Sequence, residues 1–293
     1  MRMGMRMSGE MSGERIALKI GYLGTNYHGF QIQPEPELPT IEGMLFSAFT
    51  RLGLFEFGSE TESGPRRSAN YSAAGRTDKG VHALAQVVSF DTTKEVTPRM
   101  INSMLPDDIW VYAIARPYPG FNARRDAKLR RYRYFLFSEP ELDLSRMKEA
   151  SELLIGRHNF YNFTQGHGHE ADSYVREIKR IELMRNGSFI VIDVEANSFL
   201  RKMVRKIVSA LCMIARGDRD ESWLEALLEL RLRDSIEPAP PFGLVLREVV
   251  YDNVEFVEDR YAMRRIEERL KRDLVMHSTI ASVLQELIRA YTA

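Results

Sequence analysis

An α+β fold, with helices laid on one face of a mostly antiparallel sheet in each of two halves, is predicted for this 293-residue chain by three observations. Short runs alternate apolar and polar residues with period two. Longer runs repeat apolar residues at helical spacing. Capping and hairpin residues punctuate the two kinds of run.

Arg15 to Tyr22 puts Ile16, Leu18, Ile20 and Tyr22 on one face and reads as a half-buried strand. After a Gly-rich turn, Thr40 offers an N-cap to a helix whose Ile41, Met44, Leu45, Ala48, Phe49 and Leu52 keep helical spacing. Leu84 to Phe90 reads as a strand, and Thr97-Pro98 starts a short helix reaching Leu105. Ile109–Ala115 and Arg131–Phe137 are further strands. In the second half, Leu144 to Ile155 is an amphipathic helix with Gly156 placed to end it. Val175–Met184 and Phe189–Glu195 form a hairpin around Asn186-Gly187. Helices over Phe199–Arg216 and Ser222–Leu232 follow, then Pro238, Pro240 and Pro241 break the chain before a strand from Leu244 to Tyr251. Beyond Asp252 lie two helical patterns, one carrying Met263, Ile266, Leu270 and Leu274, the other Ile280, Val283, Leu284, Leu287, Ile288 and Tyr291. The chain therefore divides into a disordered tail (1–14), halves over 15–138 and 139–252, and a helical extension (253–293) that packs on the body or on a second subunit.

Composition excludes several classes. With 44% hydrophobic and 28% charged residues the chain is an ordinary soluble globular one, and no apolar stretch approaches the roughly 20 residues that span a bilayer. The Met- and Arg-rich start has no apolar core of a signal peptide. The lone Cys212 sits in an apolar helical run and forms no internal disulfide. A cytoplasmic protein is expected. Charge is balanced, 41 basic against 41 acidic side chains, yet unevenly distributed: Arg124, Arg125, Lys128, Arg130, Arg131 and Arg133 cluster with Asp126 as the sole acid, and Arg201, Lys202, Arg205 and Lys206 form a second group. Such clusters suit phosphate contact.

The segment Ala74-Gly75-Arg76-Thr77-Asp78-Lys79-Gly80-Val81-His82-Ala83 sets Asp78 between basic residues on a short loop bracketed by glycines. Neighbouring cations favour the ionised carboxylate, the form that acts as nucleophile or base. By residue chemistry alone, a surface turn is the better-supported reading, since Asp and Gly are common turn residues.

The segment closely resembles the Gly-Arg-Thr-Asp-Ala-Gly-Val-His-Ala signature of the TruA family of tRNA pseudouridine synthases, with Lys79 for the small residue, as in archaeal-type members. Other matches follow in the family's order: Tyr22-Leu23-Gly24-Thr25-Asn26-Tyr27-His28-Gly29-Phe30-Gln31; Asn102 with Leu105-Pro106; Phe121-Asn122-Ala123-Arg124; Arg131-Tyr132-Arg133-Tyr134; Asn197-Ser198-Phe199-Leu200 with Met203-Val204-Arg205; and Pro240-Pro241-Phe242-Gly243-Leu244. The resemblance runs from about Ile16 to Tyr251, with Leu23, Phe30 and Asn122 departing from the family's Asp, Trp and His.

It implies the pseudouridine synthase fold, two ferredoxin-like α/β halves with joined, mostly antiparallel sheets around a basic cleft, in a homodimer that binds the anticodon stem-loop of tRNA. It makes Asp78 the catalytic nucleophile and Arg205 its partner. Arg76 is expected to fill the space left by a flipped-out uridine, and Tyr132 to stack on that base and assist proton transfer at C5. Lys79, Gln31, Arg124, Arg125 and Arg130 are expected to contact the RNA. The reaction only rearranges atoms, so no cofactor or metal is implied. Tyr134 and the basic Lys202 and Lys206 read instead as packing and solvated residues. Two other readings remain: an inactive RNA-binding protein of the same fold, and a metal-dependent hydrolase built on His158, His167, His169 and Asp172. The histidines lack the fixed spacing of strong zinc motifs, and activity surviving a chelator would exclude the hydrolase.

Overall fold

The computed structural model describes residues 13–35, 37–54, 69–138, 142–165 and 174–292. The strands are β1 (Glu14–Tyr22), β2 (Ser72–Ala73), β3 (His82–Thr92), β4 (Ile109–Ala115), β5 (Leu129–Phe137), β6 (Gly156–Asn159), β7 (Val175–Asn186), β8 (Phe189–Ala196), β9 (Leu244–Val250) and β10 (Val257–Glu258). The α-helices are α1 (Ile41–Arg51), α2 (Pro98–Asn102), α3 (Leu144–Glu152), α4 (Met203–Arg216), α5 (Glu221–Leu228) and α6 (Arg260–Thr292). The strands share one sheet in the order β10-β4-β1-β3-β9-β5-β8-β7-β6, with β2 also on β3. Among the described residues, every pairing is antiparallel except β3–β9, where His82 faces Val245 and Ala83 faces Leu246. That short parallel seam joins the two halves.

Each half has its own core. In the first, Ile41, Leu45 and Phe49 of α1 cover Ile16, Leu18 and Ile20 of β1, and Phe49 stacks on Phe90 with ring centroids 4.9 Å apart. In the second, Ile207, Leu211 and Ile214 of α4 pack with Ile190, Ile192 and Val194 of β8. Each such fully buried side chain contributes about 1.5–3 kcal/mol. The predicted caps are in place: Thr40 accepts from the Gly43 N–H and Thr97 from the Met100 N–H.

Several elements differ from expectation, each for a local reason. β1 is buried on both faces, because α1 covers one of them and the Trp110 ring lies over Gly21 on the strand. α2 ends at Asn102, whose side chain turns to the neighbouring strand and bonds the N–H and carbonyl of Val111. Asn186 pairs with Phe189, so the hairpin loop is Gly187-Ser188 rather than Asn186-Gly187. β5, assigned by sequence to the first half, pairs with β8 and β9. α4 begins at Met203 instead of Phe199, because Lys202 holds a left-handed backbone (φ +64°). The tail is shorter than expected: Glu14 already belongs to β1, and residues 1–12 lie outside the described ones. The two helical patterns of the extension form one helix, α6, roughly 50 Å long at 1.5 Å per residue. Its start is tied to the body by an Arg99–Asp259 ion pair at 2.9 Å, while Ile280, Leu284, Ile288 and Tyr291 are exposed. No helix among the described residues is long and apolar enough to cross a membrane.

Candidate active site

A cleft of about 2570 Å³ opens over the seam between the halves, and among the described residues that line it Asp78 is the sole carboxylate. Around it stand Arg76 and Lys79 of the same loop, Arg124, Arg125, Lys128 and Arg130 leading into β5, Arg176 of β7, and Arg201, Lys202 and Arg205 at the start of α4. A chain with no net charge thus gathers its cations where an anionic polymer would enter.

The Asp78 loop connects β2 to β3 and is held from beneath by buried polar groups. Phe30 N–H donates to the Thr77 carbonyl at 3.0 Å. The Thr77 and Tyr22 hydroxyls lie 2.8 Å apart, and Gln86, fully buried in β3, donates to the Gly75 carbonyl at 3.0 Å. Gly29 takes a φ of +97°, and a Cβ there would come within 2.9 Å of the Thr77 carbonyl oxygen, so the His28–Gln31 segment packs on the loop only with glycine.

From the other half, Arg205 Nη1 donates to Asp78 Oδ2 at 3.2 Å, and its Nε donates to the Ala239 carbonyl at 2.6 Å. Only 20% of the Asp78 side chain and 10% of that of Arg205 are exposed, so water screens this pair weakly. The two residues, 127 positions apart, meet as the family resemblance implied.

Tyr132 bridges the two cores and packs edge-on against Phe199 at 5.1 Å. Its hydroxyl lies near Gly75, where a Cβ would sit 3.9 Å away. Burial, then the Asp78 charge, push the phenol far above its usual range, so it stays protonated. Tyr134 is buried in the second core and donates to the Pro240 carbonyl at 2.9 Å. The two tyrosines therefore divide into a cleft residue and a packing residue.

Arg76, Lys79, Arg124 and Arg125 reach the cleft as exposed side chains. Lys79 Nζ lies 3.1 Å from His28 Nε2. Asn122 Oδ1 accepts the N–H groups of Arg124 and Arg125, each at 3.0 Å, which shapes the turn that presents them. Gln31 lines the rim, its carbonyl bonded by Gln33.

Arg130 departs from its expected role as an RNA contact. It is buried, and its two terminal nitrogens donate to the carbonyls of Ala127, Asn197, Ala74 and Arg124. Those bonds staple the cleft floor and commit both terminal nitrogens of the guanidinium to protein carbonyls. Lys206 is likewise not a solvated residue: it is 8% exposed, and its ammonium donates to the carbonyls of Asn162 and Thr164. Part of the basic cluster is also neutralised on the opposite sheet face, where Arg131 pairs with Glu195 and Glu248 and Arg133 with Asp193.

Sequence reasoning missed Arg176, which lines the cleft from β7 and whose pKa is lowered by burial and then by Arg124. One cation on a strand carries no signal without the topology. Of the possible metal ligands, His158 Nε2 bonds the Ile155 carbonyl at 2.9 Å and its ring packs on Phe160. His167, His169 and Asp172 lie outside the described residues, among which no metal-binding cluster of His, Cys, Asp or Glu occurs.

The family model described as tRNA pseudouridine synthase matches residues 150–252. Relatives bearing the name tRNA pseudouridine synthase A include that of Methanosarcina barkeri, 48% identical over 94% of this chain and 98% of its own. That of Methanosarcina acetivorans is 47% identical over the same shares, and that of Archaeoglobus fulgidus is 40% identical over 91% of this chain and 94% of its own. Among solved structures, one of the archaeal box H/ACA sRNP Nop10–Cbf5 complex aligns weakly, with a TM-score of 0.34 and 11% identity over 68% of this chain and 43% of that one. With more than nine-tenths of its length matched at such identity, the chain belongs to the tRNA pseudouridine synthase A family.

Proposed function

We propose that this protein isomerises uridine to pseudouridine in the anticodon stem-loop of tRNA, with Asp78 as nucleophile. The observation that carries this reading is the Asp78–Arg205 pair set in a cleft whose other described lining residues are cations and neutral groups. A uridine in a stem must leave the stack before its glycosidic bond is reachable, and Arg76 beside Asp78 is suited to hold the vacated space. The C1′–N1 bond breaks with Asp78 acting on the nucleoside, the base turns, and C5 bonds to C1′. The C5 hydrogen leaves to solvent and N1 regains a proton. Arg205 aims the carboxylate, and Tyr132 stacks on the base and relays the C5 proton, its oxygen taking that proton as the phenol hands its own to water. tRNA in which uridine carries tritium at C5 tests the reaction directly, since product formation releases that label. Retention of tritium by tRNA incubated with active-site-intact protein would refute it.

Phosphate contact by the exposed Arg124 and Arg125 predicts a steep salt dependence of tRNA affinity. Each single change to Ala should reduce the slope of log affinity against log salt by roughly 0.7–0.9, with saturated turnover little altered. An unchanged slope would leave both residues merely solvated. We also propose a homodimer, supported by the apolar Ile280, Leu284, Ile288 and Tyr291 along the exposed part of α6. Light scattering at micromolar concentration should give the dimer mass, and a monomer mass would exclude it.

A further inference from the structure

A closed circuit of contacts runs from Asp78 across the seam and back. Arg205 Nη1 meets Asp78 at 3.2 Å, while Arg205 Nε donates to the Ala239 carbonyl at 2.6 Å. Ala239 N–H returns a bond to the Arg205 carbonyl at 3.1 Å. Three residues on, the carbonyl of Phe242 lies 3.2 Å from His82 Nε2. His82 is four residues from Asp78, at the first rung of the β3–β9 seam. Gly80, between them, has a φ of +79° and presses on Pro241, where a Cβ would lie 3.0 Å from the ring. The Phe242 side chain is 70% exposed, so the backbone of this segment, not its aromatic ring, is what the body holds.

The other His82 nitrogen settles its tautomer. Nδ1 accepts the Gly24 N–H at 3.1 Å, so the proton resides on Nε2 and is donated to Phe242. Burial lowers the imidazole pKa, consistent with a neutral ring.

We infer that His82 is a positioning residue for the isomerisation: its Nε2–H bond to the Phe242 carbonyl fixes the strand-entry segment that carries Ala239, and thereby sets Arg205 against Asp78. The inference rests on the reaction proposed above. It goes beyond that reading by giving a task to a histidine that touches neither RNA nor the reacting carboxylate. The parallel pairing of the two halves beside the active site is only two residue pairs long. The His82 bond adds a constraint there, next to the chemistry, to those that Arg130 and Tyr132 supply on the cleft floor.

Two substitutions separate the bonds of His82. In His82→Gln the side-chain amide nitrogen reaches the place of Nε2 and keeps the Phe242 bond while losing that to Gly24. In His82→Asn the side-chain oxygen takes the place of Nδ1 and keeps Gly24 while losing Phe242. Each loses one hydrogen bond, so a purely structural role predicts similar single-turnover rates for both. The positioning role predicts near-normal rates for the Gln variant. For the Asn variant it predicts a fall of roughly 30- to 100-fold, the scale of about 1 Å of misplacement, with tRNA affinity unchanged in both. Equal rates in the two variants, or rates that simply follow melting temperature, overturn the assignment. Nitrogen-15 NMR of the histidines in the unaltered protein decides the matter even if both variants fold poorly: an Nδ1–H tautomer or an imidazolium for His82 near pH 7 overturns it, and an Nε2–H tautomer supports it. Failure of the unaltered protein to release tritium would instead overturn the reaction, an outcome distinct from equal behaviour of the two variants.

Discussion

Asp78→Asn should end turnover while leaving tRNA binding intact. The amide keeps the size and much of the hydrogen-bonding shape of the carboxylate but cannot attack, so tritium release should fall by roughly four orders of magnitude or more, as when other covalent nucleophiles are removed. Affinity should hold, because the cations that line the cleft are untouched. It should even tighten slightly at low salt, since the substitution removes a negative charge from a positive surface. Stability should move the other way. Arg205, only 10% exposed, keeps its bond to the Ala239 carbonyl but loses its counter-charge, at a cost of about 1–3 kcal/mol. Denaturant melts, filter binding across a salt series and tritium release test all three parts. Appreciable release by the purified Asn variant would remove Asp78 from the mechanism.

The second large effect is expected at Tyr132. Tyr132→Phe retains the ring that packs on Phe199 and would stack on the base, an interaction worth roughly 1–3 kcal/mol, and deletes only the hydroxyl beside Gly75. tRNA affinity should therefore be nearly normal, with a much slower rate because no group remains to carry the C5 proton. Tyr132→Leu should weaken binding as well as rate. Because the phenol is held in its protonated form well above the usual tyrosine range, the contribution of Tyr132 should persist through pH 10. Tyr134→Phe provides the contrast. It loses one bond, to Pro240, worth about 1 kcal/mol, and should turn over normally, since Arg205 and His82 still hold the neighbouring Ala239 and Phe242. A Tyr132→Leu protein that folds and retains full activity would place Tyr132 outside the chemistry.

Local signals in the sequence carried most of the fold. Period-two and helical spacing located every long strand and helix of the body, and Thr40 and Thr97 cap the helices they were expected to cap, because those features act through residues a few positions apart. The family pattern went further and named Asp78, Arg205 and Tyr132, which residue chemistry alone could not separate from a turn, a basic helix face and a strand. Both tyrosines share one face of β5 by alternation. Their different fates follow from what lies across from that face, a cleft for one and a core for the other.

What only the tertiary structure decided is where each cation spends its charge. Arg124, Arg125 and Arg130 belong to one basic run, yet the first two are exposed and the third is consumed by four carbonyls. Lys206 reads as solvated from its neighbours and is buried on two carbonyls. Arg176 and His82 acquire their places from strands that pair over long separations in sequence. The direction of a guanidinium or an imidazole depends on which backbone groups the fold leaves without partners nearby, and burying those groups unpaired is costly. The family pattern in the sequence pointed to a carboxylate, Asp78, set in a basic site. The pairing of β3 with β9 and of β5 with β8 and β9 determined which of its basic groups face the cleft and which hold it in shape.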